Sequence, residues 1–237
     1  MKQYEQVIKV MEENGGFATL GYLNHTVDVS KWKSKTPYAS IRRIVQDERY
    51  FFKIKPGLWA LKKFESKILK RFNLENPTEK KEIDFSHSYY QGLIVEIGNL
   101  KGFQTYIPPQ DKNRMYLDKR LEEISSLDSF YPFSYENIVR RAQTIDVVWF
   151  NERNLPDSLF EVEHTTDIQN SLLKFNDLQD FYSDFYILSD INRKREFNYK
   201  VGFSAFKDIK SRVKFIDYEH VSNLHTKMYE ISEIGEL

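Results

Sequence analysis

The spacing of apolar residues in the first sixty positions predicts a small helical module that ends in a hairpin. The first helix is stopped by Asn14-Gly15-Gly16, and the third begins with Pro37, a residue favoured at the first helical position. Two apolar runs flank the turn Lys55-Pro56-Gly57 and predict a pair of strands. The predicted elements are helices over residues 3–13, 18–24 and 36–46, followed by strands over residues 50–54 and 58–61.

The remainder of the chain predicts the strands and helices of an α/β domain. Strands joined by turns run antiparallel, whereas strands joined by a helical crossover run parallel. The order therefore predicts a mixed sheet with helices on both faces, preceded by the small helical module. The predicted elements are a helix over 87–100, strands over 103–107, 144–150 and 158–163, a helix over 168–181, a strand over 185–189, a helix over 192–199, a strand over 213–217 and a closing helix.

A polar stretch separates these two parts of the chain. Residues 63–84 contain few apolar positions, and the apolar pattern is weakest over residues 76–82. Segments of this composition are typical of domain boundaries. We predict a first domain over residues 1–66, a linker over 67–84 and a second domain over 85–237.

Composition narrows the class of protein. The chain has 237 residues, of which 41% are hydrophobic and 15% aromatic, which is enough for a buried core. It has no run of eighteen apolar residues and no secretory amino-terminal pattern, so we expect neither a membrane span nor export. It contains no cysteine, which excludes disulfides, thiolate zinc sites and cysteine nucleophiles. We expect a cytoplasmic protein.

A neutral overall charge hides an asymmetry between the two parts. Residues 1–81 hold 17 Lys and Arg against 9 Asp and Glu, whereas residues 82–237 hold 18 against 26. The front part thus has a net charge of +8 and the rear part of −8. This pattern favours a polyanion-binding module fused to a metal-using one, and it is also compatible with two halves that simply pair.

Carboxylates on two consecutive predicted strands indicate the chemistry of the second domain. Asp146 interrupts an apolar strand, and Glu161 and Glu163 project from one face of the next strand because residues two apart share a face. Acids that repel one another are stabilised by hard divalent cations, above all Mg²⁺. Glu96, on the preceding helix, is a fourth carboxylate within possible reach. The sequence predicts a metal site that activates water against a phosphodiester.

The spacing from Asp146 to Glu161-Val162-Glu163 is similar to the core motif of the PD-(D/E)xK, restriction-endonuclease-like nucleases, over about residues 88–217. The resemblance implies that Asp146 and Glu161 bind Mg²⁺, with Mn²⁺ as a substitute, and that Glu96 is the accessory acid of the first helix. Glu163 stands where the family usually has Lys, as in a minority of restriction enzymes. It is a candidate general base or metal ligand, and Lys174 is a candidate for the missing positive charge.

The front module resembles the HARE-type winged helix-turn-helix found attached to restriction endonucleases. The resemblance covers residues 3–62 and depends on Gly15-Gly16, Trp32, Lys35-Thr36-Pro37, Ser40-Ile41-Arg42-Arg43, Phe51-Phe52 and Pro56-Gly57-Leu58-Trp59-Ala60-Leu61. In such a fold the third helix enters the major groove of DNA and the wing lies along the backbone. The predicted DNA contacts are Lys33, Lys35, Ser40, Arg42, Arg43, Gln46, Lys53 and Lys55.

Ordinary structural roles compete with these assignments. An acid on a strand or an exposed helix can simply pair with a neighbouring Lys. His164 follows the acids directly, and it is open whether it faces the metals. Asp111-Lys112 is interpreted as a charge pair in a loop, and Arg193-Lys194-Arg195 as a solvated helix start.

We therefore predict a DNA endonuclease of the type II restriction class that cuts duplex DNA at a specific or modified site. In-line attack of metal-activated water is expected, and the family resemblance implies 5′-phosphate ends. Two-fold symmetric cutting favours a homodimer, and a cognate methyltransferase would be encoded elsewhere. One alternative is an inactive DNA-binding regulator that uses the nuclease fold to dimerise. Another makes the winged helix a protein-docking module in a defence or repair complex.

Overall fold

The computed structural model describes residues 1–234, whose contacts divide them into two compact units. The first unit comprises residues 1–82 and the part of the last helix from Ser222 onward, and the second comprises residues 83–221. This grouping differs from the predicted limits at the C-terminal helix, and the functional domain limits stay a prediction. No helix in the described part of the chain is long and apolar enough to cross a membrane.

The first unit combines four helices with a three-stranded antiparallel sheet in the order β1-β3-β2. Its elements are α1 (Gln3–Glu13), β1 (Phe17–Thr19), α2 (Leu20–Thr26), α3 (Pro37–Val45), β2 (Phe51–Lys55), β3 (Leu58–Leu61) and α4 (Glu65–Arg71). The predicted helices and hairpin are confirmed, and β1 is an additional strand of only three residues. Gly15 and Gly16 form the tight turn before it, with φ values of +79° and +95° that favour glycine.

The core of the first unit lies between its helices and its sheet. Val7, Met11, Leu23, Ile41 and Val45 are completely buried. These residues recur at helical spacing, which explains why the apolar pattern predicted α1 and α3 correctly.

The second unit is a sheet with helices on its faces. Its elements are α5 (Glu79–Leu100), which begins in the first unit, β4 (Gln104–Tyr106), β5 (Met115–Tyr116), β6 (Lys119–Arg120), α6 (Leu121–Ile124), α7 (Glu136–Ala142), β7 (Val147–Phe150), β8 (Pro156–Glu163), α8 (Ile168–Asn176), β9 (Asp184–Ser189), α9 (Lys194–Val201), β10 (Val213–Asp217) and α10 (Tyr218–Ile234), which continues into the first unit. Strands β5 and β6 form a separate small hairpin.

The main sheet has the order β10-β9-β8-β7-β4. Strands β4, β7 and β8 are antiparallel neighbours, whereas β8, β9 and β10 run parallel because helices α8 and α9 connect them. The predicted fold class, a mixed α/β sheet flanked by helices and consistent with a restriction-endonuclease-like core, is confirmed.

Both faces of the sheet are covered. On one face, Leu172 and Phe175 of α8 join a buried cluster with Leu159 and Ile187 from the central strands. The other face receives α5, where Gly98 allows a close approach: a Cβ atom there would lie 2.6 Å from Thr105 and from Trp149. Helix α5 is therefore held tightly against β4 and β7.

Several element limits differ from the prediction. Residues 143–146 form a turn after α7, held by backbone hydrogen bonds to the last turn of that helix, so β7 begins at Val147 and Asp146 precedes it. Helix α7 lies in a stretch whose sequence predicted no element. Helix α5 begins at Glu79 rather than at residue 87, and α8 ends at Asn176 rather than at residue 181.

Candidate active site

Asp146 is fixed at the start of β7 against the neighbouring strand β8. Val147 pairs with Phe160, and the backbone N–H of Val162 donates to Asp146 Oδ2 at 2.8 Å. The residue is 9% exposed. The antiparallel pairing thus brings Asp146 beside Glu161-Val162-Glu163, as the sequence pattern predicted.

Glu161 and Glu163 point from the same face of β8 towards helix α8. Both are buried, at 3% and 5% exposure. Lys174 Nζ donates to the two carboxylate oxygens of Glu161 at 2.8 and 2.9 Å, and to the Thr144 carbonyl at 3.0 Å. The Ser171 hydroxyl lies between the two acids: it donates to Glu163 Oε1, and Glu161 Oε2 lies 3.2 Å from its oxygen.

Glu163 has hydroxyl neighbours at both carboxylate oxygens. Thr166 donates to Oε2 and Ser171 donates to Oε1. Its backbone carbonyl accepts from Ser189 at the end of β9 and from the Tyr218 hydroxyl at 3.3 Å. These contacts hold the carboxyl end of β8 in place through groups from α8, β9 and α10.

Helix α5 brings to Asp146 two residues that the sequence did not predict. The Glu96 carboxylate accepts a hydrogen bond from the Tyr116 hydroxyl at 2.8 Å, in the small hairpin. His87 and Gln91, four residues apart and thus on one helix face, contact Asp146 instead. His87 Nε2 lies 3.7 Å from Asp146 Oδ1, and Gln91 Nε2 donates to the Asp146 carbonyl at 3.2 Å.

Asp111 is part of the same arrangement, and its interpretation as a loop charge pair with Lys112 is wrong. It is 3% exposed, and Arg114 Nε lies 2.7 Å from its Oδ1. Its Oδ2 accepts from Gln91 Nε2 at 2.9 Å and lies 4.0 Å from His87 Nε2. Lys112 Nζ donates to the Asp128 carbonyl at 2.7 Å instead.

One group in the described residues has the composition and spacing of a metal site. His87, Asp111 and Asp146 each offer a ligand atom, and these atoms all lie within 4.8 Å of one another. Glu161 and Glu163 are not part of that group. The sequence reasoning missed His87 and Asp111.

The negative charge of the buried acids is only partly balanced by the neighbouring cationic side chains. Burial raises the pKa of Asp146, but His87 and the Val162 N–H outweigh that effect and hold it below its usual value. Burial, followed by the charge of Asp146, raises the pKa of Glu161 well above its usual value, against the opposing effect of Lys174. Burial also raises the pKa of Glu163. A divalent cation near these acids would supply the missing positive charge, and carboxylate oxygens are the ligands that Mg²⁺ prefers.

His164 and Tyr218 form a second contact next to the acids. Tyr218 stacks on Tyr90 of α5 with ring centroids 4.0 Å apart, and its hydroxyl lies 2.6 Å from His164 Nδ1. The His164 ring centroid is 5.9 Å from that of His87. Arg193, interpreted from sequence as solvated, donates to the carbonyls of His164 and Thr166 at 3.0 and 2.6 Å. The segment after β8 is therefore held by α10 and by the turn before α9.

The predicted DNA contacts of the first unit differ in accessibility. Ser40 is buried, and its hydroxyl contacts the Thr36 carbonyl and Ser34 Oγ at 3.2 and 3.0 Å. Arg42 is exposed but donates to Asn223 Oδ1 at 3.0 Å. Lys55 is half-buried, and burial lowers its pKa despite the opposing charge of Glu82. The exposed members of the predicted set are Lys33, Lys35, Arg42, Arg43, Gln46 and Lys53.

The segment of the chain that matches known proteins contains the whole site. A family model described as the type II restriction enzyme NmeDI C-terminal domain matches residues 69–236. The type II restriction enzyme NmeDI of Neisseria meningitidis serogroup C is 24% identical over 168 residues, which cover 65% of this chain and 47% of that protein. The chain thus spans about half the length of the curated relative it matches. No solved structure matches it significantly.

Proposed function

The chain belongs to the family of the type II restriction enzyme NmeDI C-terminal domain, and from this premise we propose that it is a Mg²⁺-dependent endonuclease that cuts double-stranded DNA. The observation that carries the proposal is the position of Asp146 beside Glu161 and Glu163, fixed by the β7–β8 pairing and by the hydrogen bond from Val162. All these residues lie within the segment that the family model matches.

The proposed catalytic core is of the PD-(D/E)xK type. Three antiparallel strands are followed by a helix and a parallel strand, with one acid before the second strand and two on the third. This element order supports the assignment, although Glu163 stands in the position of the usual Lys. In the structure, the cation next to Glu161 is Lys174 from α8.

Asp146, Glu161 and Glu163 are the residues proposed to hold Mg²⁺, with Mn²⁺ as a substitute. Bound there, the ion supplies activation of water and neutralisation of the charge that develops on the phosphate. The role of Glu96 as an accessory acid is not supported by its contact with Tyr116. His87 is the better candidate from the first helix, since it faces Asp146.

The reaction is hydrolysis of a phosphodiester. A water oxygen forms a bond to phosphorus while the bond to the 3′ oxygen breaks, which leaves a 5′-phosphate and a 3′-hydroxyl. Glu163 is a ligand or takes the proton of the attacking water, because its buried carboxylate with a raised pKa is a stronger base than an exposed one. Lys174 holds Glu161 in position and offers positive charge near the phosphate.

The first unit is proposed to be a HARE-type winged helix that holds duplex DNA. Helices α1, α2 and α3 together with the antiparallel sheet support this assignment, and exposed cations on and around α3 fit a phosphate backbone. Cutting of both strands would require two active sites, for which a homodimer is the simplest arrangement. A protecting methyltransferase would be a separate protein.

One observation favours a second candidate function. The acid at position 163 and the ion pair between Lys174 and Glu161 would also suit a DNA-binding regulator whose nuclease fold is inactive. In that case DNA binding would remain and hydrolysis would be absent.

A cleavage assay separates these candidates. Unmodified and cytosine-modified duplex DNAs are incubated with Mg²⁺ and the wild-type chain, Asp146→Asn, or the control Glu152→Gln, which changes an exposed loop acid. We expect discrete fragments from the wild type and the control, and none from Asp146→Asn, with DNA binding retained by all three. Intact DNA with every protein, despite tight binding, would leave the regulator as the better assignment.

A further inference from the structure

His87, Asp111 and Asp146 come from three separate parts of the second unit, namely helix α5, the loop after β4 and the turn before β7. None of them is adjacent to another in the sequence. His87 Nε2 lies 3.7 Å from Asp146 Oδ1 and 4.0 Å from Asp111 Oδ2. The fold thus brings one imidazole nitrogen and two carboxylate oxygens together at a buried position.

Each aspartate is oriented by a partner at its other oxygen. Asp146 Oδ2 accepts from the Val162 N–H at 2.8 Å, which leaves Oδ1 towards His87. Asp111 Oδ1 is held by Arg114 at 2.7 Å, which leaves Oδ2 towards His87. Hydrogen bonds that fix ligating carboxylates in this way are a general feature of metal sites, because they reduce the cost of ordering the ligands.

Gln91 provides an independent observation. The residue is 0% exposed, and its amide nitrogen donates to Asp111 Oδ2 and to the Asp146 carbonyl. Its amide oxygen is buried and accepts no hydrogen bond. An unsatisfied buried acceptor is costly, and a water molecule bound to an ion beside Asp111 and Asp146 would be a suitable donor.

From this geometry we infer a second metal site, formed by His87, Asp111 and Asp146, that takes a divalent first-row transition-metal ion of the Mn²⁺ class. It goes beyond the proposed Mg²⁺ site, with which it shares Asp146, and it does not require that the chain cuts DNA. An imidazole ligand favours transition metals, whereas Mg²⁺ prefers oxygen ligands alone. The chain would then carry an ion that physiological Mg²⁺ does not readily displace.

The distances suit such an ion. A metal about 2.1 Å from each ligand holds two of them about 3.0 Å apart when adjacent in an octahedron and about 4.2 Å apart when opposite. The separations of 3.7 and 4.0 Å lie between these two values and all three ligand atoms lie within 4.8 Å of one another, so small side-chain movements would bring them onto one ion. The competing explanation is a protonated His87 that forms ion pairs with the two aspartates.

Mn²⁺ binding to the full chain tests the site. With excess Mg²⁺ present to occupy the site of oxygen ligands, the loss of the free-ion electron paramagnetic resonance signal measures Mn²⁺ affinity for the wild type, His87→Gln, Asp111→Asn and the control His220→Ala, which changes an exposed histidine of the second unit. Binding should weaken at least tenfold in the first two variants, because loss of an outer partner alone costs roughly 10- to 100-fold. The control should bind as the wild type does, and excess Mg²⁺ should not release the ion.

A second readout needs no variant. Electron spin echo spectroscopy of bound Mn²⁺ in the wild type should show coupling to an imidazole nitrogen. Absence of that coupling, or unchanged affinity in folded His87→Gln and Asp111→Asn, would overturn the inference in favour of the ion pair. Mn²⁺ held by His87 in a chain that cuts no DNA would refute only the nuclease, whereas Mg²⁺-dependent cutting with unchanged Mn²⁺ binding would refute only this site.

Discussion

Lys174 of α8 forms a forked hydrogen bond with Glu161 of β8, from Nζ to both carboxylate oxygens at 2.8 and 2.9 Å. The same ammonium donates to the Thr144 carbonyl in the turn before β7. One cation thus connects the two chain segments that carry the acids of the site. The positive charge that is absent at position 163 reaches the acids from the following helix.

Replacement of Lys174 by Met should destabilise the fold and impair cleavage. Removal of one partner from a fully buried ion pair costs about 3–5 kcal/mol, and the cost here should be nearer 2 kcal/mol because Lys174 is 23% exposed. Chemical unfolding of Lys174→Met measures this loss, with Lys210→Met at an exposed position as the control.

A double variant checks the cause. Glu161→Gln removes the charge that Lys174 compensates, so Lys174→Met combined with Glu161→Gln should recover most of the lost stability. If the two losses simply add, the ion pair is not the source of the effect.

The buried charge of Glu163 predicts a pH-dependent stability in the absence of metal. The pKa of Glu163 is raised in the folded state. Its contribution to the free energy of unfolding is therefore fully present below the pKa that Glu163 has in the unfolded chain, and it is lost as pH rises through the pKa of the folded state. Glu163→Gln, whose amide can still contact Ser171 and Thr166, should therefore be more stable than the wild type at pH 8.

Thermal unfolding with a chelator present, from pH 4 to pH 8, measures this difference. The advantage of Glu163→Gln should shrink towards pH 4, where the wild-type acid is protonated. Added Mg²⁺ should stabilise the wild type more than the variant if Glu163 is a ligand. A constant difference across the pH range would contradict the assignment of the cost to the carboxylate charge.

The part of the site that the sequence predicted follows from local periodicity. Glu161 and Glu163 are two apart on a strand, so a shared face is certain once β8 forms, and the short connection from β7 brings Asp146 beside them. The apolar runs of both strands are long enough to identify them without tertiary information. The mixture of antiparallel and parallel strands was also predictable, since turns and crossover helices fix strand direction.

The missed residues depend on tertiary contacts. Asp111 lies in a loop, where nothing in the neighbouring sequence shows that it is buried against Gln91 and Arg114. His87 was included in a predicted helix, but the face that packs towards Asp146 depends on how α5 sits on the sheet. Glu96 illustrates the same limit of sequence-based prediction. At 100° per residue it lies 140° around the helix from Gln91, so the two residues are on different faces of α5. Helix periodicity gives relative faces, and packing decides which one meets the site.

Arg43 should contribute to DNA binding through charge alone. It is exposed on α3, whereas Ser40 on the same helix is buried and Arg42 contacts Asn223. Arg43→Ala should weaken binding to duplex DNA of any sequence and reduce the dependence of affinity on salt by about one ion.

Fluorescence anisotropy over a range of salt concentrations measures both quantities. Lys9→Ala, which removes an exposed cation of α1 outside the predicted set, is the control and should leave the slope unchanged. Equal effects of Arg43→Ala and Lys9→Ala would indicate general electrostatic attraction rather than contact through α3.

Gly98→Ala should separate α5 from the sheet and disturb the site at a distance. A Cβ atom at this position would lie 2.6 Å from Thr105 Cγ2 and from Trp149 Nε1, and neither β4 nor β7 can move freely within the sheet. Relief of the clash must displace α5, at a cost of roughly 1–3 kcal/mol. His87 and Gln91 lie on that helix, so their contacts with Asp146 should loosen as well.

Thermal unfolding and Mn²⁺ binding measure the two effects, with Lys81→Ala at an exposed position of α5 as the control. A destabilised variant that binds Mn²⁺ like the wild type would show that the position of α5 does not control the metal ligands.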